Sequence, residues 1–169
     1  MKAEELRALQ APYKERYRED GEAGVVTMRA SGEIGRESVT CKVETGRALV
    51  EAGLHEAAGG NGLTACSGDM LLEALVACAG VTLGAVATAL EIPIAGGRVT
   101  AEGDLDFRGT LGVEKTAPVG FRDIRLRFEL DSDAPPEQLE KLLKLTERYC
   151  VVYQTLRQGP PIAVDIEAA

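Results

Sequence analysis

Histidine is nearly absent, with His55 alone, and the four cysteines (Cys41, Cys66, Cys78 and Cys150) include no C-x-x-C pair. A zinc site would lack ligands at familiar spacing, so no metal and no cofactor is expected. Basic residues are the minority, 19 against 27 acidic, for a formal charge of −8. That balance repels phosphate backbones and anionic lipid, which argues against nucleic acid and membrane surfaces as partners. The N-terminal stretch MKAEELRALQAPYKERYRED lacks an apolar core followed by a small-residue cleavage site, so it does not read as a secretory signal. A cytoplasmic location is the expectation. In that reducing compartment the cysteines are expected to serve chemistry or packing rather than structural disulfides. Aromatic side chains are few (Phe107, Phe121, Phe128 and four tyrosines), which permits an apolar pocket without sizing it. No internal repeat or low-complexity tail divides the 169 residues, which fit a single domain over residues 1–169.

What is present reads as a β-rich α+β chain. Residues 3–18 place Leu6, Leu9, Tyr13 and Tyr17 at helical spacing, with Pro12 expected to bend or split the helix; residues 1–23 form an N-terminal helical extension. From Gly24 to Val50, VVTMRASGEIG, ESVTCKVE and GRALVEAG alternate strand-like runs with glycine turns and predict a small antiparallel meander. A loop at Gly59, Gly60 and Gly62 follows. From Asp69 to Leu90 only Asp69 and Glu73 are charged, so no face suits solvent and a central buried helix is predicted. Its length would span a bilayer, but it is rich in Ala, Gly and Thr, carries Glu73 inside and lacks basic flanks. Gly80 and Gly84, with Ala77 and Thr88, form a small-residue stripe where a partner helix could cross.

Downstream, RVTAEGDLDFRGTLG and FRDIRLRFELDSD predict two strands, the second with Ile124, Leu126, Phe128 and Leu130 on one face. Ala134-Pro135-Pro136 opens a helix through Arg148, with Asp133 as expected cap and Leu139, Leu142 and Leu143 as its apolar side. A short helical piece, CVVYQTLRQ, and a last strand, PIAVDIEA, complete the pattern.

Cys78 lies inside the apolar helix and Cys150 directly after an amphipathic one. Free cysteine often packs as a small hydrophobe, and an apolar setting raises its pKa, which would leave Cys78 inert. Reactivity would need a nearby cation or hydrogen-bond donor, and an arginine from elsewhere in the chain is the expected source. Cys41 alternates with Val39 and Val43 and reads as a core residue, while His55 reads as a surface loop side chain.

Two separated segments carry a resemblance. GGNGLTACSGDMLLEALVACAGVTL resembles the OsmC/Ohr family signature of a glycine loop, a helix start, an E-L-L-like run and a central cysteine, with Cys78 at the reactive position. ERYCVVYQTL is similar to that family's second-cysteine segment, with Cys150 at the resolving position and Val151 where Cys-Pro is usual. The order of elements agrees from about Gly24 to the C-terminus. The resemblance implies an OsmC-like fold, with antiparallel sheets wrapped around a buried central helix, and an intertwined homodimer with active sites at the interface. It also implies a peroxidase that reduces organic hydroperoxides. In that chemistry Cys78 thiolate attacks the peroxide, the resulting sulfenic acid condenses with Cys150, and a dithiol reductant, lipoyl-type in relatives of this kind, resets the disulfide.

The family also places an arginine and a carboxylate at the site. Arg47 in ETGRALVEAG matches the arginine position best, with Arg36 as the alternative. Asp69, nine residues before Cys78, is the nearest match for the carboxylate, yet nine helical residues turn through about 900°, to the opposite face. Glu73 is the rival carboxylate, expected to be buried and paired with an arginine. Cys66 has no counterpart in the signature and reads as a bystander or a second resolving thiol. Two other functions remain open: a catalytically degenerate binding or scaffold member of the same fold, and a membrane-associated or structural oligomer built on the apolar helix.

Overall fold

The strongest local pattern, alternation from Phe121 to Asp131, forms an eleven-residue strand. Ile124, Leu126, Phe128 and Leu130 are half-buried, and Asp123, Arg125, Arg127 and Glu129 face solvent. The computed structural model describes residues 2–19, 31–34, 40–44, 49–112 and 114–167. In chain order these form α1 (Ala3–Glu19), β1 (Ser31–Ile34), β2 (Thr40–Glu44), β3 (Leu49–Gly53), a turn of 3₁₀ helix (Glu56–Ala58), β4 (Ala65–Cys66) and α2 (Ser67–Leu90). There follow β5 (Gly96–Leu105), α3 (Phe107–Thr110), β6 (Phe121–Asp131), α4 (Pro136–Tyr149) and α5 (Val151–Gln158). The class is α+β, as the sequence predicts.

Two small sheets result. β1, β2 and β3 form the expected antiparallel meander, and β4 adds to β3 in parallel through Ala52–Ala65 and Gly53–Cys66. β5 and β6 form a separate antiparallel ribbon running from Gly96–Asp131 to Leu105–Phe121, with its register shifting after Asp104. The glycine loop before α2 uses left-handed backbone at Gly59 (φ 90°) and Gly62 (φ 72°), where a side chain would be strained.

α2 buries Leu75, Ala79, Leu83 and Ala87, one residue per turn, against β5, α4 and α5. Only this stripe is buried in the single chain. Val81 is 76% exposed and Leu71 and Gly84 also face outward, because no described element of this chain covers that side. The expectation of a helix buried all round is therefore met on one face alone. Gly80 lies over β5, with Val99 Cγ2 3.7 Å from where its Cβ would stand, so the crossing element here is a strand of the same chain. α2 ends at Glu91 in left-handed conformation (φ 59°), and Pro93 prevents its continuation.

Leu83, Ala87, Ile92 and Leu142 make one core cluster; Leu75, Ala79 and Cys150 make the other. Leu142 is 1% exposed in the first. Leu142→Ala is expected to lower unfolding stability by about 2–5 kcal/mol through the cavity it leaves, measured by denaturant melts with an unchanged m-value.

Three expectations are corrected. α1 runs unbroken through Pro12 rather than splitting there. α4 is capped by Pro135, not Asp133: Ser132 Oγ instead accepts from Ala134 N (3.2 Å) and donates to the Pro93 carbonyl (2.6 Å), which ties the helix entry to the end of α2. No strand forms from Ile162 to Glu167, where the backbone has no ladder partner among the described residues.

Candidate active site

The second core cluster contains two thiols. Cys78 sits one turn below Thr82 on α2, with Val99, Ala101, Ile124, Leu126, Val152 and Tyr153 around the cluster. Cys150 is at once the C-cap of α4 and the N-cap of α5, with extended backbone (φ −74°, ψ 108°). The sharp change of direction there is held at both ends. Cys150 N donates to Thr146 O at 2.9 Å, its carbonyl accepts from Gln154 N at 3.0 Å, and Gln154 Nε2 donates to Glu147 O at 2.8 Å. α5 therefore begins with its first amides directed at the sulfurs. Thr146, 1% exposed, satisfies its hydroxyl on Leu142 O (2.8 Å) and leaves no unpaired polar group beneath the junction.

The electrostatics of the two thiols differ in direction. Burial pushes the Cys78 thiol up, but the Val152 amide, the Cys150 thiol, the Val151 amide and the Thr82 hydroxyl all donate to its sulfur, and its pKa falls below the ordinary thiol value. Burial also pushes Cys150 up, and the negative charge on Cys78 beside it adds to the rise; the Tyr153 and Val152 amides offset this only in part. Of the two, Cys78 is therefore the more acidic thiol and Cys150 the less acidic one. Unpaired amides at a helix start favour an anion, which is how a largely apolar cluster can hold a thiolate.

The remaining site residues from the sequence lie elsewhere or outside the described residues. Arg47 and Arg36 are both outside them, and Cys41 is described only as backbone of β2. Asp69 and Glu73 share one face of α2 and line a cavity of about 470 Å³ with Leu72, Val76, Ala77 and Ala101, to which Cys78 does not contribute. Both are exposed. The expected burial of Glu73 against an arginine is therefore not met among the described residues, because the side of α2 that carries it is uncovered in the single chain. Cys66 caps the start of α2 and lines another cavity with His55, Asp69 and Asp104. Twelve helical residues put it roughly 18 Å from Cys78 along the axis, too far for a direct disulfide. His55 is exposed as expected; it stacks on Phe107 (centroids 4.9 Å apart) and accepts from Ala57 N through Nδ1.

Sequence reasoning missed Thr82 and the amides of Val151 and Val152. The signal was present: a helix that starts directly after a cysteine presents free N–H groups to whatever lies beside that cysteine.

Comparison with known proteins identifies the family and the fold. The family model described as OsmC-like protein matches residues 59–165, more than half of the chain and a span that includes both cysteines. Among solved structures, an OsmC-like protein from Mycoplasma pneumoniae superposes with a TM-score of 0.65 at 17% identity, over 79% of this chain and 89% of that one. An organic hydroperoxide resistance protein OsmC from Legionella pneumophila gives 0.62 at 17% identity, over 80% and 93%. The organic hydroperoxide resistance protein OhrB of Bacillus subtilis gives 0.54 at 17% identity, over 79% and 93%. No curated protein matches by sequence. With a model match over most of its folded core, the chain belongs to the OsmC-like protein family.

Proposed function

We propose that the protein is a thiol peroxidase that reduces organic hydroperoxides, with Cys78 as the attacking thiolate and Cys150 as the resolving thiol. The observation that carries this reading is the opposite pKa direction of two adjacent free thiols at the start of α5. The Cys78 thiolate attacks the distal oxygen of R–O–O–H, the O–O bond breaks, and the alkoxide takes a proton to leave as R–OH. Cys78 is then a sulfenic acid. Cys150 sulfur displaces its hydroxyl as water, forming a Cys78–Cys150 disulfide. An external dithiol, lipoyl-type in this reading, supplies two electrons and two protons to restore both thiols.

The apolar side chains around the pair suit a substrate whose organic part is hydrophobic. Arg47 remains the proposed cationic partner of the thiolate, with Asp69 or Glu73 as the carboxylate brought in across a homodimer interface. A cytoplasmic location fits the need for a dithiol reductant. The test is intact mass of wild type, Cys78→Ser and Cys150→Ser before and after one equivalent of cumene hydroperoxide. Wild type is expected to lose two hydrogens, Cys150→Ser to gain oxygen on Cys78, and Cys78→Ser to stay unchanged. Retention of all thiols in all three proteins would leave a binding or scaffold member of the fold as the surviving reading.

A further inference from the structure

Reduction of a Cys78–Cys150 disulfide poses a problem of access. An external dithiol attacks one sulfur in line with the S–S bond and expels the other as a thiolate, and the more acidic thiol leaves faster. Cys78 is the more acidic of the two, so the favoured attack falls on the Cys150 sulfur. Cys150 is 1% exposed, while Cys78 is only half-buried. The sulfur that the chemistry prefers is the one the fold hides. Its cover includes the first turn of α5, because Val152 and Tyr153 pack against the Cys150 cluster.

α5 is held loosely for a helix that seals a site. None of its eight residues is buried. Val151 and Leu156 are 70% and 36% exposed. The flank formed by Tyr153, Leu156 and Arg157 faces a cavity of about 560 Å³ that it shares with Phe121, Ile124 and Phe128 of β6. One side-chain tie runs back to α4, from Gln154 Nε2 to Glu147 O at 2.8 Å. No side chain caps the start of the helix, and the Val151 and Val152 amides donate instead to the Cys78 sulfur. The chain can turn at either end: Cys150 is extended between the two helices, and Gly159 is left-handed (φ 47°). An element with few buried contacts and two jointed ends opens at low cost in local free energy.

We propose that α5 is a lid released by oxidation: the reduced thiol pair fastens its first turn over Cys150, and the Cys78–Cys150 disulfide lets it swing about Cys150 and Gly159 to admit the external dithiol. The proposal rests on the disulfide of the reading above and adds how that disulfide is reached. An ionised sulfur accepts strong hydrogen bonds from amides, whereas a disulfide sulfur carries no charge and is a weak acceptor. Oxidation therefore takes from α5 the acceptor of its first two amides at the moment when Cys150 must be uncovered. With the lid raised, one thiolate of the dithiol attacks the Cys150 sulfur, the S–S bond breaks and Cys78 leaves as a thiolate. The second thiol of the dithiol then displaces Cys150 and closes the dithiol's own disulfide, so that two electrons and two protons pass to the protein. The restored Cys78 sulfur again accepts from the Val151 and Val152 amides, and the lid closes.

The experiment is amide hydrogen exchange on the reduced protein and on protein oxidised with diamide, a diazene that takes two hydrogens from a thiol pair and needs no peroxidase activity. Peptide mapping locates the Cys78–Cys150 link. Amides from Gln154 to Gly159 are expected to exchange at least about tenfold faster in the disulfide form, while those from Leu142 to Tyr149 in α4 keep their rates. Val152→Ala keeps the amide but thins the packing beneath the lid, and circular dichroism checks its fold. Its disulfide is expected to be reduced by dithiothreitol at least about threefold faster than that of wild type. Equal exchange of α5 in the two forms, or a Val152→Ala disulfide reduced no faster than wild type, would each overturn the proposal. A disulfide formed by diamide but not by cumene hydroperoxide removes the peroxidase and leaves the lid. Hydroperoxide turnover with an α5 that exchanges alike in both forms removes the lid and leaves the peroxidase. A protein in which neither oxidant links Cys78 to Cys150 overturns both.

Discussion

Replacing Cys78 by serine is expected to lower the rate of hydroperoxide consumption by on the order of 10³-fold or more, because a serine hydroxyl is far less acidic and less nucleophilic than a thiol whose pKa is lowered. The Val152, Val151 and Thr82 donors that favour a thiolate at this position cannot pull a hydroxyl into the reactive range. Cys150→Ser is expected to behave differently. It keeps the attacking thiolate, so a first turnover survives at a rate within about tenfold of wild type, since one donor to the sulfur changes but does not vanish. Steady turnover driven by a dithiol should slow or stop, because the sulfenic acid on Cys78 now lacks its internal thiol and over-oxidises at excess peroxide. Stopped-flow single turnovers and steady-state assays on both variants separate the two roles. A Cys78→Ser protein that retains a tenth of wild-type activity would remove Cys78 from the chemistry.

The pH dependence follows from the same contacts. The folded-state pKa of Cys78 lies below its ordinary value, so the rate of the first turnover should rise with pH through that lowered pKa and then level off. The sign for stability is that of an acid with a depressed pKa. Its contribution is present in full above the pKa of a free thiol and is lost as pH falls through the folded-state value. Cys150 acts oppositely, since its pKa is raised and the unfolded chain would give up that proton first.

Much of the fold is legible because its elements obey strong local periodicities. Ile124 to Leu130 alternate without interruption, and Leu139 and Leu142 recur at helical spacing, so β6 and α4 follow from pattern alone. The cap of α4 is not legible, because Asp133 is a better capping residue than Pro135 by propensity, yet Ser132 is fixed by the Pro93 carbonyl, a contact between positions 39 residues apart. The last segment alternates as a strand does, but a strand is completed only by a neighbour, and sequence does not say in which chain that neighbour lies.

The site divides in the same way. Cys78 and Cys150 can be singled out from the two segments that resemble the family, and the fold brings them into contact. The expected source of thiolate stabilisation is a cation. Among the described residues the donors are the Cys150 thiol, the Thr82 hydroxyl and two backbone amides, and amides are groups that every sequence contains and none advertises. Only the change of direction at Cys150, set by Thr146, Glu147 and Gln154, aims them at the sulfur. Asp69 and Glu73 are suggested by spacing relative to Cys78, and helix geometry sends both to another face of α2.

Val151→Pro tests the amide contribution directly. Val151 is the first residue of α5, where proline is tolerated because its N–H has no helical partner and its φ is already suitable. The residue before a proline must be extended, and Cys150 already is, at φ −74° and ψ 108°. The Val151 side chain is 70% exposed, so its loss removes little packing. What the substitution does remove is one N–H donor to the Cys78 sulfur. A hydrogen bond to a charged group contributes about 1.5–3 kcal/mol, so the first-turnover rate at neutral pH should fall by roughly 10- to 150-fold. The midpoint of the rate–pH profile should move upward while the plateau at high pH is kept. Val151→Ala retains the N–H and should reproduce the wild-type profile. This position is also where the chain departs from the Cys-Pro pattern it otherwise resembles, so the variant restores that pattern and shows what the departure adds. If Val151→Pro leaves the profile where it was, the Val151 amide is a bystander and the lowered pKa rests on the Val152 amide, the Cys150 thiol and the Thr82 hydroxyl.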